Sequence, residues 1–285
     1  MILRKYYGGF GGNFAKNDIK IDQDSTIMGY AGINISEHDP SEIPFNSRNI
    51  VIGRSGSGKT VIGTSLLYHQ RHHCPVAQIH AGTEDSNSYY QNFFPSSYIF
   101  PRLNREAVIQ GVQRNKKMIQ LYGADSIAGR LAMVFDDVVM KRRILSDELF
   151  QTIIRKSRHW NMFVLFLMQY CMDAGPDIRT NLTRTFITNE MEPGNRKRLF
   201  QNYGALIPNQ SIFDDLMNEL TTEYSAIVIN NQCRTNRLED VVQYYQAPPP
   251  ETYIQSGFKF GCPEYWQWHE DRYNPHYVDP IDDLI

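Results

Sequence analysis

Residues 53–60 read Gly53-Arg54-Ser55-Gly56-Ser57-Gly58-Lys59-Thr60, which matches the pattern G-x-x-x-x-G-K-T at every fixed position. The apolar run Ile50–Ile52 precedes this loop and a helix-forming stretch follows it, which is the strand–loop–helix context of a P-loop. Its glycines let backbone N–H groups turn toward phosphate oxygens, and the helix N-terminus adds its positive end. We expect all eight residues to bind nucleotide, with Lys59 reaching the β- and γ-phosphates of ATP and Thr60 holding Mg²⁺.

The composition is that of a globular protein with room for a sizeable core, since 41% of the 285 residues are hydrophobic and 21% are charged. The formal net charge is −2, so any contact with nucleic acid must be local or must be built by several subunits around a strand. The longest apolar run, Met162–Met168, is too short to cross a bilayer, and the first residues lack the apolar segment of a signal peptide. We therefore expect an intracellular protein that is not integral to a membrane.

The cysteines indicate reduced thiols rather than a metal site or a disulfide framework. None of the four belongs to a C-x-x-C pair. This spacing predicts a reducing compartment and argues against zinc. They are Cys74, Cys171, Cys233 and Cys262.

From residue 49 the chain alternates short apolar strands with helical stretches, which predicts an α/β protein with a mostly parallel sheet flanked by helices. The predicted strands are Ile50–Ile52, Val76–His80, Leu131–Phe135, Met162–Met168, Thr185–Thr188 and Ala226–Asn230. The predicted helices are 60–71, 104–122, 146–159, 193–202 and 211–222. We divide the chain into an N-terminal extension (1–47), a P-loop ATPase domain of RecA/ASCE type (48–235) and a Pro- and aromatic-rich C-terminal tail (236–285). The three prolines at 248–250 are expected to end regular structure.

Two adjacent carboxylates supply a second half of the nucleotide site. The apolar run Leu131–Phe135 leads into Asp136 and Asp137, a Walker B pattern in which the first acid binds Mg²⁺ directly or through water. Asp137 stands where a base orients the attacking water. Most such enzymes carry glutamate there, and aspartate is one methylene shorter, so its reach depends on backbone placement. The alternative is an acidic exit from a strand, which is common on any surface.

Gln169 and two arginines are further candidates. Gln169 follows Met162–Met168 directly, so it is predicted at the tip of a strand, where it either contacts the γ-phosphate or the attacking water or simply ends the strand. The stretch from Ser146 to His159 reads as an amphipathic helix with Arg155 and Arg158 near its C-terminal end. These arginines either complement the helix dipole or reach the γ-phosphate of the nucleotide bound to a neighbouring subunit. The sequence leaves both interpretations open.

The order of these motifs resembles the FtsK–HerA superfamily, and within it the genome-packaging ATPases of large double-stranded DNA viruses of the poxvirus type. The resemblance covers residues 48–190. The P-loop indicates only the broad NTPase class, and two later motifs narrow that class: Arg158-His159 before a strand that ends in Gln169, and then Ile178-Arg179-x-Asn181. It implies that Gln169 is a sensor and that Arg158 is the arginine finger acting in trans, with Arg184 and Arg179 as weaker candidates. It further implies a homo-oligomeric ring, a hexamer or pentamer, that hydrolyses ATP with Mg²⁺ to translocate double-stranded DNA. Capsid or inner-membrane virion proteins would be partners, in the virion or in a viral factory of the host cytoplasm.

Two short basic runs are candidates for loops that contact DNA. The alternative is a solvent-exposed face without a partner, which is what most runs of charged residues form. They are Lys141-Arg142-Arg143 and Arg196-Lys197-Arg198. Two other functions share the P-loop: a small-molecule or nucleotide kinase, which needs an arginine-rich lid and ignores DNA, and a non-translocating NTP-binding assembly factor. A GTPase is disfavoured because no N-K-x-D motif occurs, and a transporter ATPase because no L-S-G-G-Q signature occurs.

Overall fold

The computed structural model describes residues 28–30, 33–82, 88–138, 148–170, 175–204 and 206–274. Within these residues one ten-stranded sheet forms the centre of the molecule, in the order β1-β2-β10-β9-β8-β3-β7-β6-β4-β5. The strands are β1 (Met28–Tyr30), β2 (Ile33–Glu37), β3 (Arg48–Ile52), β4 (Ala77–Ala81), β5 (Ile99–Phe100), β6 (Leu131–Asp136), β7 (Met162–Met168), β8 (Arg184–Ile187), β9 (Ser225–Asn230) and β10 (Val242–Gln246).

The middle of the sheet is parallel. Strand β3 lies between β7 and β8, and β7, β6, β4 and β5 continue the parallel order on one side. On the other side β9 runs antiparallel to both β8 and β10, and β10 pairs in parallel with β2. Strands β6 and β7 are buried along their whole length, as expected for strands covered on both faces. The predicted mostly parallel α/β fold is confirmed.

Helices cover both faces of the sheet. The longer ones among the described residues are α1 (Lys59–Gln70), α2 (Arg105–Tyr122), α3 (Glu148–Lys156), α5 (Pro193–Tyr203) and α6 (Gln210–Leu220). Two short helices are α4 (Pro176–Arg179), before α5, and α7 (Leu238–Val241), after α6. Side-chain caps define several starts: Asn104 accepts a hydrogen bond from the Ala107 N–H at 2.9 Å, and Asn209 accepts one from Ile212 at 3.0 Å. The described part of the predicted helix 146–159 is α3, followed by a 3₁₀ turn, Ser157–Trp160; Ser146 and Asp147 lie outside the described residues.

Alternate residues of each central strand enter two hydrophobic cores. Phe166 and Met133 face the core that α3, α5 and α6 cover, whereas Leu165 and Val134 face the core under α1. The sheet is therefore wound on both faces, and helix α1, which follows the P-loop, shares its face with residues near the C-terminus.

The first and last segments of the chain contribute to this same sheet and core. Strand β2 precedes residue 48 and β10 follows residue 235, and both pair within the sheet. The prolines at 248–250 do end regular structure, because β10 stops at Gln246, and Pro250 then occupies the first turn of a new helix, where a missing N–H costs nothing. The tail then forms α8 (Pro250–Ser256) and α9 (Pro263–Glu270), and its Tyr253, Phe260 and Tyr265 are buried.

Among the residues that the structure describes, no helix combines the length and the apolar character needed to cross a membrane. Two described cysteines, Cys74 and Cys262, are buried free thiols, and Cys233 is partly exposed; Cys171 lies outside the described residues.

Candidate nucleotide site

The P-loop connects the C-terminal end of β3 to the first turn of α1. Gly56 and Gly58 have φ values of 73° and 88°, which side-chain-bearing residues adopt at a cost, and Gly58 is the N-cap of α1. A Cβ atom on Gly53 would lie 1.7 Å from Thr188 Oγ1, so the backbone passes directly against β8 there. Ser57 Oγ lies 2.6 Å from the same hydroxyl, which ties the loop to the end of β8.

Lys59 extends back across the loop from the first position of α1. Its side chain is 5% exposed, and Nζ donates a hydrogen bond to the Arg54 carbonyl at 3.1 Å and lies 3.9 Å from Asp137 Oδ2. The ammonium group therefore lies between the loop and the end of strand β6. In this position its charge faces the place where the loop N–H groups would hold phosphates.

Asp136 is the buried acid of the site. Its side chain is 2% exposed, and one carboxylate oxygen, Oδ2, accepts hydrogen bonds from Thr60 Oγ1 at 3.1 Å and from the Tyr90 hydroxyl at 2.8 Å. Burial raises the pKa of Asp136 to about 6, the charge of Asp137 adds to this rise, and the hydrogen bonds from Tyr90 and Thr60 oppose it. A bound cation would favour the ionised form of this carboxyl group.

Asp137 is turned away from Asp136 by the backbone. Its φ of 51° is left-handed, and its N–H still donates to the Leu167 carbonyl at 3.2 Å, so the strand ends there while the side chain points to a new direction. Gln169 Nε2 donates to Asp137 Oδ2 at 2.9 Å. The structure thus brings Gln169, Asp137 and Lys59 into one group at the carboxyl ends of β3, β6 and β7.

The donor set fits Mg²⁺. A threonine hydroxyl and a carboxylate, Thr60 and Asp136, are hard oxygen donors in direct contact, and Mg²⁺ in nucleotide sites takes few protein oxygens beside phosphates and waters. Sequence reasoning did not find Tyr90. A tyrosine in a segment without periodicity carries no signal of its role, and only the fold brings it to Asp136.

Arg158 lies near the amino ends of the parallel strands, on the side of the sheet away from the nucleotide site. It is exposed in the 3₁₀ turn that precedes β7, whereas Gln169 follows β7, and a seven-residue strand separates the two by about 20 Å. Burial and then the charge of Arg158 lower the pKa of Arg48, which stands at the start of β3. Arg158 is therefore outside the nucleotide site of its own chain.

The other basic candidates differ in exposure. Arg184 is 5% exposed and donates to the Thr183 carbonyl, which disfavours a role outside its own chain, and Arg179 lies over the Tyr203 ring at 5.8 Å. Arg196 donates to the Glu190 carbonyl, whereas Lys197 and Arg198 are exposed. Lys141-Arg142-Arg143 lies outside the described residues.

Known sequences resemble this chain over most of its length. The family described as Poxvirus A32 protein matches residues 41–238. Uncharacterized protein 088R of Invertebrate iridescent virus 3 is 33% identical over 260 residues, which cover 89% of this chain and 98% of the relative. Uncharacterized protein L437 of Acanthamoeba polyphaga mimivirus is 25% identical over 257 residues, with 88% of each chain covered.

Solved structures share the fold. The genome packaging NTPase B204 from Sulfolobus turreted icosahedral virus 2, in complex with AMPPCP, superimposes with a TM-score of 0.53 and 14% identity, covering 72% of this chain and 100% of that chain. The cytoplasmic domain of the Thermomonospora curvata type VII secretion ATPase EccC gives a TM-score of 0.53 and 12% identity, covering 92% of this chain and 33% of that chain. Both comparisons establish a sheet of the P-loop ATPase type.

Proposed function

This chain belongs to the Poxvirus A32 protein family, and on that premise we propose that it is the ATP-hydrolysing motor that moves double-stranded DNA into a viral capsid. The observation that carries the proposal is the convergence of Lys59, Asp137 and Gln169 at the carboxyl edge of the sheet, beside the Thr60–Asp136 pair. The matched NTPase B204 is a genome packaging NTPase, which supports the same function.

The site residues divide the work of hydrolysis. Backbone N–H groups of residues 53–60 bind the phosphates, and Lys59 compensates charge that develops on the β/γ bridge. Thr60 and Asp136 would hold Mg²⁺, which supplies further positive charge to the phosphates when it is bound. Asp137 accepts a proton from, and orients, the attacking water, while the Gln169 amide fixes the carboxylate at 2.9 Å.

Two features favour a ring around DNA. The net charge of −2 provides no basic field over a single subunit, so phosphate contacts would come from a few residues repeated in each subunit, such as Lys197 and Arg198. Arg158 stands about 20 Å from its own site, at an exposed edge where a neighbouring subunit's nucleotide could meet it. We propose a hexamer or pentamer that acts in the virion or viral factory with capsid or inner-membrane virion proteins.

The experiment that tests the proposal is steady-state ATP hydrolysis with and without duplex DNA over a range of protein concentrations. We expect Mg²⁺-dependent turnover that DNA stimulates, with specific activity that rises as subunits assemble. A Lys59→Ala variant is the control and should be inactive under all conditions. Activity that ignores both DNA and protein concentration would reject the motor in favour of a kinase or an assembly factor.

A further inference from the structure

The C-terminal tail packs against the segment 90–94, which lies between the P-loop and the Walker B strand β6. The Phe258 ring stacks on Phe93 with centroids 4.6 Å apart and an interplanar angle of 16°, and Phe260 packs on Phe94 at 5.0 Å. The Phe260 N–H donates to the Phe93 carbonyl at 3.0 Å. All of these rings are buried, so the tail and this segment pack as one unit.

Tyr90 belongs to the same unit and reaches the metal site. It is 1% exposed, its ring centroid lies 6.2 Å from that of Phe94, and its hydroxyl donates to Asp136 Oδ2 at 2.8 Å. A chain of contacts therefore runs from Phe260 through Phe94 to Tyr90 and ends on the carboxylate of Asp136.

We propose that Tyr90 is the positioning residue for Asp136 and that the C-terminal tail, through Phe260, holds Tyr90 in place. This inference rests on the Mg-ATP site of the proposed function but not on DNA translocation. It assigns to residues 258–260 a role at the nucleotide site that lies far from them in the sequence.

The physical reason lies in the two donors that Oδ2 shares. Thr60 donates at 3.1 Å and would also offer its hydroxyl oxygen to Mg²⁺, whereas Tyr90 donates at 2.8 Å from outside that donor set. Tyr90 therefore holds the carboxylate in one rotamer without taking a place on the cation. Groups that orient a metal-binding carboxylate typically contribute 10- to 100-fold, by order of magnitude, to metal affinity.

The test compares nucleotide affinity in Mg²⁺ and in EDTA for the full chain, measured by calorimetry or with a fluorescent ATP analogue. Tyr90→Phe keeps the buried ring and removes only the hydroxyl. We expect it to bind ATP in EDTA as the wild type does, and to lose about 10-fold or more of the affinity that Mg²⁺ adds. Tyr265→Phe is the matched control, because it also removes a buried hydroxyl of this unit, one that donates to the Ala77 carbonyl at 2.8 Å.

A Tyr265→Phe variant that keeps the wild-type gain from Mg²⁺ supports the inference when Tyr90→Phe loses it. If both variants keep the gain, or both lose it equally, Tyr90 has no positioning role. If the wild type itself gains no affinity from Mg²⁺, the proposed function fails first, so the two failures are distinguishable.

The part of the proposal that concerns the tail has its own variant. Phe260→Leu keeps an apolar side chain but removes the ring that packs on Phe94, and it should show the same selective loss with Mg²⁺ to a smaller extent. Trp268→Leu removes a half-exposed ring of the same tail that packs on Tyr98 and should retain the wild-type gain. A Phe260→Leu variant with the full Mg²⁺ gain, beside an impaired Tyr90→Phe, would remove the tail from the mechanism.

Discussion

Asp136 and Asp137 are neighbours in the sequence, yet their environments assign them to different chemistry. Asp136 continues the strand, is 2% exposed and has its pKa raised to about 6 chiefly by burial. Asp137 has a left-handed backbone and places its carboxylate between Gln169 and Lys59. The left-handed φ of Asp137 thus separates two adjacent carboxylates, and under the proposed function Asp136 would bind the cation while Asp137 orients the attacking water.

Asp137→Asn should retain ATP binding and lose hydrolysis. The amide keeps the size of the side chain but accepts no proton from the water, so we expect turnover to fall by about 10²–10⁴-fold. Binding of a non-hydrolysable ATP analogue and single-turnover hydrolysis check the two halves of this expectation. Hydrolysis at the wild-type rate would show that another group is the base.

Gly53→Ala should displace the P-loop by a steric clash with Thr188. The added Cβ would meet Thr188 Oγ1 at 1.7 Å, so either the loop or β8 must move, and overpacking of this kind costs about 1–3 kcal/mol. We expect a lower free energy of unfolding together with weaker ATP binding, measured by urea denaturation and calorimetry. Gly175→Ala is the control, because a Cβ there meets nothing within 4 Å; an equal loss in both variants would contradict the steric argument.

At the scale of elements, one aromatic ring from each of four adjacent strands forms a ladder across the sheet. Phe100 of β5 stacks on His80 of β4 at 4.9 Å, His80 on Phe135 of β6 at 5.3 Å, and Phe135 on Phe166 of β7 at 5.2 Å. The parallel register places these residues side by side. The ladder joins the strand that carries Asp136 to the outer strands of the sheet.

The histidine in this ladder predicts a loss of stability in acid. Burial lowers the pKa of His80 to about 4, against 6.5 in the unfolded chain, so between these values the unfolded state binds more protons. Stability therefore falls as the pH falls from 6.5 toward 4, by at most about 3 kcal/mol for this one group. Urea unfolding at pH 7.5 and pH 5 should show a smaller loss in His80→Gln than in the wild type. His38, with its pKa also lowered to about 4, and Asp136 titrate in both proteins, so the difference isolates His80. Equal losses would contradict the assignment.

The elements that the sequence predicts are those whose burial is uniform. Strand β7 is apolar at all seven positions and is predicted to the residue. Strand β10 escapes prediction because only Val242 and Tyr245 of its five residues are buried, and its two glutamines break the apolar run that would mark a strand. The contact of Tyr90 with Asp136 and the packing of Phe258 and Phe260 on the segment 90–94 are not predicted for another reason. Contacts between residues so distant in the sequence follow from topology and leave no local pattern.

At the scale of the whole molecule, the carboxyl ends and the amino ends of the parallel strands, called here the carboxyl edge and the amino edge, carry groups of opposite charge. The carboxyl edge holds the P-loop and the acidic pair, whereas Arg48 and the exposed Arg158 stand at the amino edge. Subunits related head to tail would bring the amino edge of one against the carboxyl edge of the next, which closes a ring when the rotation allows it. A finger supplied in this way contributes about 10³–10⁵ in rate.

Mixing two inactive variants tests this arrangement. Arg158→Ala subunits retain an intact P-loop, and Lys59→Ala subunits retain the arginine, so a ring that contains both has about one complete interface in four. We expect each variant alone to be inactive and the mixture to recover a corresponding fraction of ATP hydrolysis. Arg155→Ala is the matched control, because Arg155 is also exposed near the end of α3 but donates to Gln151 within that helix, and it should stay active alone. Mixed rings verified by mass spectrometry that recover no activity would exclude Arg158 as a residue that acts on the neighbouring site.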